Sequence, residues 1–86
     1  MTLEVLEAHE HVIGVKQVKK ALVSGRTSHI FLAEDAETHI TAPLEELVRE
    51  HGAEVVRVES MQALGRACSI DVGAAAAAVV LEPAAR

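Results

Sequence analysis

The sequence predicts an α/β fold, on three observations. Apolar residues recur at helical spacing in three stretches, each bounded by a glycine or a capping serine. Short runs rich in Val, Ile and Leu alternate with those stretches. The chain has 86 residues, half of them hydrophobic, which suits one domain spanning residues 1–86 around a modest core. Phe31 is the one aromatic residue, so the core is aliphatic and no aromatic platform exists on which bases could stack.

Leu3, Val5 and Leu6, set among acids, suit a short helix, and His11–Ile13 reads as a brief strand that stops at Gly14. Val15, Val18 and Leu22 then line one face of a helix closed by Gly25, with Lys16, Gln17 and Lys20 pointing away from it. His29–Ala33 reads as a buried strand and residues 34–38 as a loop. Pro43 is expected to open the next helix, with Leu44, Leu47 and Val48 inward and Gly52 at its end. Glu54–Val58 follows as a strand, which makes a strand–helix–strand unit with parallel pairing. Ser60 caps a further helix whose Met61, Leu64, Ala67 and Cys68 face inward. A loop at Ser69–Gly73 leads to a last strand at Ala77–Leu81. The alanines from Ala74 to Ala78 favour helix by propensity, whereas the Val-Val-Leu that follows favours strand.

The formal charge is −5, which excludes an ordinary nonspecific nucleic-acid binder. Four of the eight Lys and Arg residues (Lys16, Lys19, Lys20 and Arg26) nevertheless lie within residues 14–26, where no acid occurs. An acidic body with one basic segment fits a local anionic partner. Cys68 is the single cysteine, so no internal disulfide forms, and no basic-then-apolar signal opens the chain. The apolar run Val72–Leu81 is far shorter than the ~20 residues of a membrane helix. A cytoplasmic protein with no membrane partner is expected.

Gly14 to Lys20 is the segment richest in chemistry. Lysines in the first turn oppose the helix dipole, and a local rule broken at one place often marks function. Free amides at the helix start attract phosphate, Lys16 and Lys20 add charge one turn apart, and Gln17 both donates and accepts, as reading a base edge requires. Glu34, Asp35 and Glu37 follow a strand end, where turn chemistry accounts for them. His9, His11, His29, His39 and His51 match no metal-binding pattern, and the spacing of Ser28, His29 and Asp35 supports no catalytic triad. Neither GxxxxGK[ST] nor GxGxxG occurs, so no cofactor and no enzymatic activity are expected.

Three segments, in order and covering about Val12 to Leu81, carry a resemblance. Gly14-Val-Lys-Gln-Val-Lys-Lys-Ala-Leu22, Ala33-Glu-Asp-Ala-Glu37, and Val58-Glu-Ser-Met-Gln-Ala-Leu-Gly-Arg-Ala-Cys-Ser-Ile-Asp-Val-Gly-Ala74 resemble the L-seven-Ae ribosomal protein family, most of all its short bacterial-type members. The resemblance implies a three-layer α/β/α sandwich with a small mixed sheet. It also implies binding of kink-turn RNA, a bent duplex with sheared G·A pairs beside a bulge, in a ribosomal or regulatory RNA. Carried over by position, Gly14, Lys16, Gln17 and Lys20 match the helix start that enters the groove at the G·A pairs. Glu37 matches a contact to a looped-out base, and Ile70, Asp71 and Val72 match a loop that packs on flipped bulge nucleotides. Many members have Asn-Glu at the positions of Lys16-Gln17, and Ser69 replaces a common glycine. The expected protein is a noncatalytic, monomeric RNA binder. The alternative is an interaction module that docks a basic protein through its acidic surface.

Overall fold

The computed structural model describes residues 3–80. Helix α1 spans Glu4–Ala8, strand β1 His11–Ile13, helix α2 Val15–Val23 and strand β2 His29–Ala33. Helix α3 spans Thr38–His51, strand β3 Glu54–Val58, helix α4 Met61–Ala67 and strand β4 Ala76–Val79. The strands form one mixed sheet in the order β1-β4-β2-β3. Strand β2 pairs parallel with β3, from His29 opposite Glu54 to Ala33 opposite Val58, as expected for a strand–helix–strand unit. Strand β4 runs antiparallel to both of its neighbours.

The period of two along the strands divides the core between two helical layers. Phe31, Ala33, Ala77 and Val79 face α1 and α4, where they pack with Leu6, Leu64, Ala67 and Cys68. Ile30, Leu32, Ala76 and Ala78 face α2 and α3, against Val18, Leu22, Leu44 and Val48. This is the three-layer α/β/α sandwich with a mixed sheet. Among the described residues, no helix is long and apolar enough to cross a membrane.

Two boundaries differ from the sequence reading. Helix α3 starts at Thr38, so Pro43 lies inside it instead of at its start. Proline removes one hydrogen bond, to the carbonyl four residues earlier, which belongs to His39. Both His39 and Pro43 are exposed, and the helix continues through this position. The last strand begins at Ala76, one residue earlier than expected, and ends at Val79, while Leu81 lies outside the described residues. The alanine ambiguity resolves to strand because β4 is the inner strand between β1 and β2, covered on both faces. Hydrogen bonding to two neighbours outweighs a helix preference of a few tenths of a kcal/mol per residue.

Candidate nucleic-acid interface

Sheet topology brings the three family-like segments to one edge. Strands β1, β2 and β3 all end there, and the antiparallel β4 begins there. Hydrogen bonds stitch that edge together. The Gly14 amide donates to the Ala76 carbonyl at 2.8 Å, the Ala33 amide to Ala75 at 3.0 Å, and the Glu34 amide to Val58 at 2.7 Å. Helices α2, α3 and α4 start from those strand ends, so their positive N-terminal ends share this edge.

Gly14 is the N-terminal cap of α2, with φ 97° and ψ 148°, a conformation that L side chains rarely adopt. A glycine cap has no side-chain oxygen, and no acid occupies the first turn of α2. The first amides of α2 are thus left for an external acceptor, in a field made more positive by Lys16. Lys16, Gln17, Lys19 and Lys20 are all exposed, while Val18, Ala21 and Leu22 bind the helix to the core. Separating the basic face from the buried face is what the spacing of this segment predicted.

Glu37 caps α3 through its main-chain carbonyl, which accepts from the Ile40 amide at 3.0 Å, while its side chain accepts nothing from the first turn. Its carboxylate instead lies 3.4 Å from Nε2 of His39, both side chains being largely exposed. The family-like loop from Ser69 to Gly73 runs beside α4. Ile70 donates to the Gly65 carbonyl at 3.1 Å, and Ala74 to that of Met61 at 3.0 Å. With Gln62 and Arg66, residues Ile70 to Gly73 line a hollow of about 490 Å³. Val72 is 69% exposed, the most exposed of the large hydrophobic side chains at this edge, and Ile40 on α3 is 41% exposed. Asp71 is exposed, whereas Ile70 is half-buried against the core.

Three further residues support this edge, of which the sequence reading had singled out only Ser69. Gly65 lies in α4 where any Cβ would overlap the Val72 carbonyl, so its hydrogen side chain sets how closely the loop approaches. Asp35 is a link between segments: its Oδ1 accepts from the Met61 amide at 2.8 Å, tying the 33–37 turn to the start of α4. Ser69 adopts φ 65°. The replacement of a common glycine therefore leaves a left-handed residue in place, at some conformational cost. The departure at Ser69 was visible in the sequence, but nothing there gave Gly65 a role or paired Asp35 with Met61.

The remaining candidates separate from this edge. Ser28 Oγ lies 3.1 Å from His29 Nδ1, and His29 Nε2 lies 3.6 Å from Glu54, but these residues sit at the opposite ends of β2 and β3 from Asp35. Asp35 is engaged by Met61, so these three residues do not meet. Among the described residues, no group of His, Cys, Asp and Glu is arranged to hold a metal. Cys68 is buried in the α1/α4 layer, and burial raises its thiol pKa, as for a packing residue.

An RNA-binding protein of Caldanaerobacter subterraneus subsp. tengcongensis is 40% identical over 72 residues, 84% of this chain and 88% of its own. Large ribosomal subunit protein eL8 of Halobacterium salinarum is 44% identical over 68 residues, 78% of this chain and 57% of its own. In solved structures, the same fold occurs in the 15.5kD RNA binding protein of Giardia lamblia, with a TM-score of 0.83 at 24% identity. That match covers 95% of this chain and 70% of the other. The model of the Ribosomal protein L7Ae/L30e/S12e/Gadd45 family matches residues 2–85. The chain belongs to that family.

Proposed function

We propose that this protein binds RNA without catalysis, as a monomer in the cytoplasm, and recognises kink-turns in a ribosomal or regulatory RNA. The observation that carries the reading is the convergence of Gly14, Lys16, Gln17, Glu37 and the Ile70–Val72 loop on one edge of the sheet. The α2 start enters the widened groove at the G·A pairs. Its free amides and the Gln17 carboxamide meet base edges there, and Lys16 and Lys20 neutralise the flanking phosphates. Glu37 accepts from the exposed edge of a looped-out base. Val72, with Ile70 behind it, offers an apolar surface to unstacked bulge bases, and Asp71 offers a carboxylate beside them. Shape does much of the selecting, because the major groove of duplex RNA is too narrow for side chains to read.

Support for RNA as the partner comes from family membership and from relatives that are themselves RNA-binding proteins. The alternative, docking of a basic protein, lacks one coherent surface. Glu7 lies on α1 in one layer, while Glu45, Glu46 and Glu50 lie on α3 in the other.

The test is a titration into a labelled kink-turn hairpin, following its bend by energy transfer between the ends. A control hairpin carries Watson–Crick pairs in place of the G·A pairs. Saturable bending of the first and not of the second is expected. Bending of neither hairpin, or of both equally, overturns the reading.

A further inference from the structure

Beyond the α2 start, Arg26 is a basic side chain to which nothing described so far gives a role. The edge strand β1 and helix α2 enclose a groove of about 350 Å³ lined by Val12, Gln17, Lys20, Ala21, Ser24 and Arg26. It contains two cations and no acid. Neither Lys20 nor Arg26 belongs to an ion pair among the described residues.

Arg26 has an obvious alternative role, offsetting the negative C-terminal end of α2. Other groups already perform it. Ser24 Oγ donates to the carbonyls of Lys20 at 2.9 Å and Ala21 at 3.2 Å. The Gly25 amide donates to Leu22 at 3.1 Å, and the Arg26 amide itself to Ala21 at 2.9 Å. The helix end is closed by hydroxyl and amide donors, which leaves the exposed guanidinium of Arg26 free to meet a ligand. Gln17 and Lys20 belong both to this groove and to the α2 face assigned to RNA, so the two surfaces are continuous.

We propose that this groove is a second phosphate-binding subsite, in which Lys20 and Arg26 carry the backbone of the helix flanking the kink away from the α2 start. The proposal deepens the RNA reading and rests on it. Charge complementarity selects the occupant, since a groove with two unpaired cations and a carboxamide suits a sugar–phosphate strand. Helix α2 has nine residues and is about 14 Å long. A backbone that follows it spans several base pairs of the flanking helix. The subsite therefore engages only RNA whose flanking helix extends that far.

The experiment compares wild type, Arg26→Gln and Arg26→Lys on two kink-turn hairpins, one with a long flanking helix and one cut back to the G·A pairs. Arg26→Gln is expected to bind the long RNA about 3–10-fold more weakly and to flatten its log–log salt dependence by about one unit. It should leave the short RNA unaffected, and Arg26→Lys should recover most of the loss. Equal affinities of wild type and Arg26→Gln on the long RNA overturn the subsite while leaving the kink-turn reading intact. Equal weakening on both RNAs also overturns it, pointing to a structural role for Arg26. Failure of wild type to bind either RNA overturns the kink-turn reading itself, which distinguishes the two failures.

Discussion

Helices α2 and α4 start at the same edge of the sheet, yet their first turns are built in opposite ways. At α4, Ser60 Oγ accepts from the Ala63 amide at 3.0 Å and Asp35 Oδ1 from the Met61 amide at 2.8 Å. At α2, the cap is a glycine, no side chain accepts from the first turn, and a lysine stands where helices favour acids. One start is sealed for stability and the other is left open. A fold can give up a capping side chain, at a cost of roughly a few tenths of a kcal/mol when glycine takes its place, where a ligand is to supply the missing acceptor.

Substitutions at these two starts, and at the loop beside them, test that contrast. The largest effect is expected from Gly65→Ala, which forces a methyl group into the Val72 carbonyl and pushes the loop off α4. A loss of about 3 kcal/mol, or roughly 12–24 °C in Tm, should appear in thermal unfolding. Next comes Lys16→Ala combined with Lys20→Ala, which should weaken kink-turn binding about 30–100-fold, or about 2–2.7 kcal/mol. Both side chains are exposed, so an unchanged Tm should accompany that loss. A matching fall in Tm would instead make α2 an ordinary structural helix.

Ser60→Ala should reverse this pattern, costing about 1 kcal/mol of stability, or about 4–8 °C, with RNA affinity nearly unchanged. The smallest effect is also the sharpest in sign. Lys16→Glu places an acid at the open helix start and should raise stability by about 0.3–1 kcal/mol. Binding measured on the same preparation should fall, because the carboxylate repels the backbone that Lys16 attracts. If stability and affinity move together, the contrast between the two helix starts is wrong.

Much of this was legible in the residues because it depends on local chemistry. Strands β2 and β3, the Gly25 and Gly52 helix ends and the Ser60 cap follow from apolar period, glycine and a capping hydroxyl, all within a few residues. The exposure of Lys16, Gln17 and Lys20 was equally local. Features that depend on distant partners were hidden. Pro43 looks like a helix start, yet α3 begins five residues upstream, at Thr38. The alanine run was ambiguous between helix and strand, and the start of β4 at Ala76 is settled by the cover on both of its faces. Asp35 and Met61 lie 26 residues apart, beyond the reach of any spacing argument. The order of charges located the basic segment, but only the groove geometry joins Arg26 to Lys20.

The position of β4 has a consequence for synthesis and folding. It is the last strand described, yet it lies inside the sheet, and it is the sole strand paired with β1. The Gly14 amide, which anchors the open helix start, bonds to Ala76, 62 residues later in the chain. A nascent polypeptide that has emerged only as far as α4 therefore has no partner for β1 and no fixed α2 start. Closing so long a loop makes this pairing a slow event in folding. The interface for RNA is thus completed only after residue 79 has left the ribosome, which makes RNA recognition a property of the finished sheet.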